Sequence, residues 1–175
     1  MIKTLQASLV ALALTSTAAL ADTPWNTLNT YEGVSVNAPA AKVWAAVANW
    51  GALQTWCPVF EKTEIVSGGT AVGSVRAITL KGGPTFTEEL LANDPVAMTY
   101  KYKIIESPLP IVEYVSSVRV FDMGNRTEIA WLSSYKRRAK DNATAENDDQ
   151  AVMNLLGGVY RACLGHTKTM LETGK

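Results

Sequence analysis

The side chains best suited to proton chemistry in this chain are an arginine, a glutamate and a tyrosine in predicted strands. Alternation along each strand puts them on faces shared with other, mostly apolar residues: Arg76 with Ile78 and Leu80, Glu88 with Phe86 and Leu90, and Tyr114 with Ser116, Val118 and Val120. Charged groups are costly to bury unless they are paired or contact a ligand. The pattern therefore predicts one polar patch inside an apolar pocket.

Three interpretations of this patch are open. Arg76 and Glu88 can form a structural cross-strand ion pair, orient a bound ligand, or catalyse a reaction in which a proton moves. The register between them also depends on the glycine-rich segment 81–84. If Glu89 faces inward in place of Glu88, the patch loses its carboxylate.

Hydrophobic periodicity predicts the elements that position these residues. A strand over 31–37 is followed by a helix over 40–48, with Pro39 at its start, and by a short helix or turn over 50–55. Six further strands, separated by turn signals, are predicted at 59–66, 74–80, 85–92, 97–105, 112–121 and 127–137. The links between them are too short for crossover helices, so we expect an antiparallel meander.

The longest predicted helix lies at the end of the chain. It starts near Asn147 and stops at Gly174, and apolar residues recur along it at helical spacing. This continuous apolar stripe must be covered, so we expect the helix to lie on the sheet.

The first 21 residues have the composition of a secretory signal peptide. Lys3 precedes an apolar run that ends in Ala19-Leu20-Ala21, and this run is too short and too rich in Thr and Ser for a good membrane span. We expect cleavage before Asp22, a periplasmic or secreted protein, and no integral membrane segment afterwards. The remainder suits one domain, predicted as an N-terminal extension over 22–30 and a folded domain over 31–173.

Charge and composition exclude several kinds of partner. Loss of Lys3 with the signal leaves 15 basic and 16 acidic side chains, so no basic surface for nucleic acid is expected. The sequence has one histidine, His166, and no close cluster of side chains that could ligate a metal, so we expect no metal site. Cys57 and Cys163 lie in the part expected to be exported, where a disulfide is allowed, and two separate buried thiols are the alternative.

The order of strand, two short helices, antiparallel meander and long C-terminal helix is that of the helix-grip fold. The local motifs agree with it: VSVNAPAAKVW at 34–44, WGALQTWCP at 50–58, VGSVR at 72–76, EELLANDP at 88–95 and YVSSVRV at 114–120. On these segments the chain resembles the START/Bet v 1-like superfamily, in particular the polyketide cyclase and dehydrase-like (SRPBCC) proteins. The export signal, SPLP at 107–110 and WLSSY at 131–135 resemble the periplasmic MxaD-like branch.

This resemblance implies an α+β helix-grip fold of six to seven strands and an apolar cavity between the sheet and the last helix. The cavity would bind a hydrophobic small molecule without a cofactor, lined by Trp56, Arg76, Phe86, Glu88, Tyr102, Tyr114, Trp131 and Val159. An alternative is a cofactor-free cyclase, dehydratase or isomerase. A further alternative, implied by the MxaD-like branch, is an accessory protein that docks on a periplasmic oxidoreductase.

Catalytic roles follow from a second likeness. At three positions the chain resembles the plant lachrymatory-factor-synthase type, in which an Arg, a Glu and a Tyr serve an acid–base rearrangement. Carried over, Arg76 would hold a carbonyl or anionic oxygen, Glu88 would move a proton, and Tyr114 would donate a hydrogen bond.

Overall fold

Seven strands and two α-helices make up the computed structural model, which describes residues 25–141 and 143–174. The predicted signal segment, 1–21, lies outside the described residues. The strands are β1 (Leu28–Val36), β2 (Phe60–Ser67), β3 (Val75–Leu80), β4 (Thr85–Asp94), β5 (Thr99–Glu106), β6 (Ile111–Asp122) and β7 (Thr127–Arg137). The helices are α1 (Ala40–Val47) and α2 (Asp149–Thr173), with a 3₁₀ turn at Leu53–Thr55.

All neighbouring strands are antiparallel, and their order in the sheet is β1-β7-β6-β5-β4-β3-β2. From β2 to β7 each strand pairs with the next one in the chain, while β1 pairs with β7. The predicted α+β arrangement, an antiparallel meander under a long C-terminal helix, is therefore confirmed. Register shifts in β2, β4, β5 and β6 interrupt the pairing locally, as expected where strands bend around a core.

The first strand begins earlier than the sequence pattern predicts. β1 starts at Leu28, which pairs with Tyr135 of β7, and the hydroxyls of Thr30 and Tyr135 lie 2.6 Å apart. Residues 28–30 thus belong to the sheet, because pairing with a distant strand extends β1 beyond its own alternating pattern.

Helix α2 covers the inner face of the sheet through one buried stripe. Asp148 caps its start by accepting a hydrogen bond from the Ala151 amide at 2.8 Å, and Gly174 ends it with a left-handed φ of 71°. The stripe comprises Val152, Leu156, Gly157, Tyr160, Cys163, Leu164 and Thr167. The predicted placement of the helix on the sheet is therefore what the structure has.

Two buried links fix α2 to the rest of the fold. Cys57 and Cys163, which the sequence leaves either free or bonded, are joined as a disulfide, so the segment after the 3₁₀ turn is tied to the middle of α2. At the start of the helix, the buried guanidinium of Arg137 forms an ion pair with Asp149. The helix is thus held at both its start and its middle.

Candidate functional site

The polar patch predicted from strand alternation is an ion pair between neighbouring strands. Arg76 of β3 and Glu88 of β4 are direct partners in the sheet register, and both point to the side covered by α2. Nε and Nη2 of Arg76 donate to Oε2 of Glu88 at 2.9 and 2.6 Å. Glu89 points the other way and pairs with Lys103 at the surface. The structure therefore has the register in which Glu88 faces inward.

Arg76 stands behind Glu88 as seen from the cavity. Its third donor, Nη1, binds the Trp50 carbonyl at 2.8 Å, and its guanidinium lies 3.6 Å from the centre of the Trp50 ring. Arg76 is not among the residues that line the cavity described below. Its charge therefore acts on the cavity through Glu88, and its direct contact with a ligand stays a prediction.

Glu88 supplies the carboxyl group of this site. Burial raises the pKa of its carboxyl above the ordinary value, while the charge and hydrogen bonds of Arg76 oppose that rise. Both contacts from Arg76 fall on Oε2, and none of the described residues forms a hydrogen bond with Oε1. One carboxylate oxygen is therefore left for a ligand.

Three tyrosine hydroxyls meet beside this carboxylate. The Tyr114 hydroxyl lies 2.5 Å from that of Tyr160 on α2 and 3.4 Å from that of Tyr102 on β5. The Trp131 indole donates to the Tyr102 hydroxyl at 2.9 Å and stacks on the Tyr160 ring with centroids 4.2 Å apart. Burial raises the pKa of all three hydroxyls, so they remain protonated and act as hydrogen-bond donors.

A cavity of about 80 Å³ lies between the sheet and α2 and includes these polar groups in its wall. It is lined by Leu53, Phe60, Leu80, Phe86, Glu88, Tyr102, Ile104, Leu109, Ile111, Tyr114, Trp131, Leu155, Leu156, Val159 and Tyr160. The wall is apolar apart from the carboxylate, the tyrosine hydroxyls and the indole. Its volume is well below the roughly 300 Å³ at which pockets for drug-sized ligands begin. The cavity as it stands suits a compact molecule.

The cavity opens to solvent at one side. Leu80 at the end of β3 and Leu109 in the β5–β6 loop are half-buried, and Leu155 on α2 is exposed. Arg138 holds this loop by donating to the carbonyls of Leu109 and Ser107. The side chain of Arg138 thus helps to hold the loop that borders the opening.

The structure brings six of the predicted cavity residues to the wall: Phe86, Glu88, Tyr102, Tyr114, Trp131 and Val159. Trp56 lies one layer behind, with its ring centroid 5.3 Å from that of Trp131. Tyr160 is a wall residue that the sequence analysis does not single out. The available signal was its hydroxyl in the middle of a mostly apolar helix stripe.

The described part of the chain has neither a cluster of metal-ligating side chains nor a membrane-spanning helix. No group of three or more His, Cys, Asp or Glu side chains in residues 25–141 and 143–174 is placed to hold a metal ion. Within the same ranges, no helix is both long and apolar enough to cross a membrane.

Comparison with known proteins agrees with this architecture. Residues 28–172 match the sequence model of the family described as polyketide cyclase/dehydrase and lipid transport. No curated protein matches the chain.

Solved structures show the same fold at low sequence identity. An uncharacterised protein of Bacillus thuringiensis is 20% identical with a TM-score of 0.72, covering 82% of this chain and 98% of its own. The protein XoxI of Bacillus cereus is 21% identical with a TM-score of 0.71, covering 82% and 94%. The Zhui aromatase/cyclase of Streptomyces sp. R1128 is 20% identical with a TM-score of 0.64, covering 85% and 98%. At such identities the likeness concerns the fold alone.

Proposed function

We propose that this protein, which belongs to the polyketide cyclase/dehydrase and lipid-transport family, is exported and binds a small, largely apolar molecule between its sheet and α2. The observation that carries this proposal is the cavity itself, whose wall is apolar except for a few buried polar groups gathered at one place. Such a wall holds a ligand by apolar contact and orients it by hydrogen bonds. Glu88 and the tyrosine hydroxyls are the groups that would orient it.

Native mass spectrometry of the protein purified from its own cells tests this proposal. We expect a co-purifying small molecule in the wild type and its loss in Val159→Phe, because the larger ring fills the cavity beside α2. Met153→Phe is the matched control, since Met153 lies on the same helix but outside the cavity wall. Equal retention of ligand by both variants would place the binding site elsewhere.

A catalytic role is the second candidate, and the raised pKa of Glu88 favours it. A carboxylate whose pKa is raised is a stronger base than an ordinary one, and it can take a proton from a bound substrate and return it at another atom, as a cofactor-free isomerase or dehydratase requires. Glu88→Gln would then abolish turnover and leave ligand affinity largely intact, whereas Glu89→Gln on the outer face would change neither. If the wild type binds the ligand without converting it, the catalytic role is refuted and only the binding function remains.

Export and partners are proposed from the sequence. Recovery of the mature chain outside the cytoplasm, with Asp22 as its first residue, would support cleavage of the signal segment. Docking on a periplasmic oxidoreductase, implied by the MxaD-like resemblance, predicts a defined partner in a pull-down. That partner should be retained by the cavity-filling variant Val159→Phe.

A further inference from the structure

Resting on the proposed binding function, we propose that the cavity selects neutral molecules that carry a hydroxyl group on a compact apolar body, as phenols and small branched alcohols do. Tyr102 and Glu88 present a hydrogen-bond donor and a hydrogen-bond acceptor side by side in its wall. A hydroxyl is the small neutral group that satisfies both, because its oxygen accepts while its hydrogen donates.

The donor is the Tyr102 hydroxyl. Its oxygen accepts a hydrogen bond from the Trp131 indole N–H at 2.9 Å, which leaves the hydroxyl hydrogen available for donation. The nearest hydroxyl, that of Tyr114, lies 3.4 Å away, beyond the roughly 2.5 to 3.0 Å of a good O–H···O bond. The hydrogen of Tyr102 is therefore only weakly engaged.

Counting hydrogens gives the same result for the whole cluster. Tyr102, Tyr114 and Tyr160 bring one hydroxyl hydrogen each, and two O···O contacts among them use two. The buried oxygen of the nearby Ser133 has no hydrogen-bond partner in the structure, so the third hydrogen is not used there. The Ser116 hydroxyl is already committed, since it accepts from Trp131 and donates to the Leu132 carbonyl.

The acceptor is Oε1 of Glu88, because Arg76 occupies Oε2 alone. Glu88 pairs with Ile104 in the β4–β5 register, and Tyr102 stands two residues from Ile104 on the same inward face. Glu88 and Tyr102 are thus diagonal neighbours, whose side chains start about 7 Å apart. One ligand oxygen can lie between the two groups and contact both.

Other ligand chemistries leave part of this pair unsatisfied. A ketone or an ether accepts from Tyr102 but offers no hydrogen to Glu88. A carboxylate faces the Glu88 carboxylate across an apolar space, where repulsion between like charges is weakly screened. A hydrocarbon leaves both the Tyr102 hydroxyl and the Glu88 carboxylate oxygen buried without a hydrogen-bond partner, although the hydrocarbon itself has no hydrogen bonds to water to lose.

A series of ligands of similar shape tests the inference by isothermal titration calorimetry on the mature protein. In a purely apolar cavity toluene binds roughly tenfold more tightly than phenol, because the phenol hydroxyl gives up water without compensation. We expect the reverse here, with phenol at least as tight as toluene, anisole weaker than phenol, and benzoate without measurable binding. A tenfold preference for toluene, or benzoate as the tightest ligand, would overturn the inference while leaving small-molecule binding intact. Failure of all four to bind would overturn both.

Two tyrosine variants locate the donor. Tyr102→Phe should weaken phenol roughly tenfold and leave toluene unchanged, because one hydrogen bond is lost and the ring is kept. Tyr100→Phe is the matched control, since Tyr100 is equally buried but lies outside the cavity wall. Phenol should also shift the NMR signal of the Trp131 indole N–H, which is bonded to Tyr102. Equal loss of phenol affinity in both variants, or an unchanged indole signal at saturation, would contradict this assignment.

Discussion

Removal of one member of the Arg76–Glu88 pair is expected to cost much more than removal of both. Glu88→Met leaves a guanidinium without its carboxylate in a place where Arg76 is 1% exposed and Glu88 only 4%. It deletes two charge-assisted hydrogen bonds, at 2.9 and 2.6 Å, each of which contributes about 1.5 to 3 kcal/mol. Their sum agrees with the roughly 3 to 5 kcal/mol typical of breaking a buried ion pair.

The double variant Arg76→Met/Glu88→Met replaces the pair with apolar side chains that suit the surrounding wall. Because no charge is then left buried, we expect its free energy of unfolding to lie within about 1 to 2 kcal/mol of the wild type. The control is Glu89→Gln, which breaks the half-exposed pair with Lys103 and should cost about 1 kcal/mol or less.

Urea denaturation of the wild type, Glu88→Met, Arg76→Met, the double variant and Glu89→Gln, each with the disulfide intact, measures these differences. The double-mutant cycle formed by the first four proteins isolates the coupling between the two side chains. A coupling energy of several kcal/mol is expected. If Glu88→Met costs no more than Glu89→Gln, or if the two single losses simply add in the double variant, the pair is not the tightly coupled unit that its geometry indicates.

Three further predictions concern pH, the disulfide and the cavity opening. Because the pKa of Glu88 is raised in the folded protein, its contribution to stability is complete below the ordinary carboxyl pKa and is lost as pH rises through the folded pKa. Urea denaturation across this pH range should show a fall in the free energy of unfolding that the Arg76→Met/Glu88→Met variant lacks. Cys57→Ala/Cys163→Ala, which removes a link across 106 positions, should lower the free energy of unfolding by about 4 to 5 kcal/mol in the same assay, and a loss below 1 kcal/mol would contradict it. Arg138→Ala should speed both association and dissociation of a ligand in stopped-flow measurements with little change in Kd, because it frees the loop beside the opening; unchanged rates would refute that role.

The elements of the fold could be predicted because their signals are local. Period-two alternation and short turn segments determine the meander, and the long apolar stripe of α2 requires that the helix be covered. The start of β1 was missed because Leu28 belongs to the sheet only through its pairing with Tyr135, more than a hundred residues away. No local pattern encodes such a contact.

The site was predictable only as a set of inward faces. Alternation places Glu88 on one face and Glu89 on the other, but a slip of one residue at the turn over 81–84 exchanges them, and the pattern alone cannot exclude it. The position of Arg76 behind Glu88 depends on the Trp50 carbonyl, which a loop distant in sequence supplies. The meeting of Tyr160 with Tyr114 likewise depends on how α2 is rotated on the sheet.

The two anchors of α2 determine how a guest can reach the interior. The turns of α2 that line the cavity lie between Asp149, which pairs with Arg137, and Cys163, which is bonded to Cys57. This part of the helix is therefore anchored at both ends. These two anchors oppose a movement of this part of α2 away from the sheet. If the cavity binds a ligand as proposed, entry beside Leu109 is therefore favoured, and molecules too large for the cavity would be excluded by size.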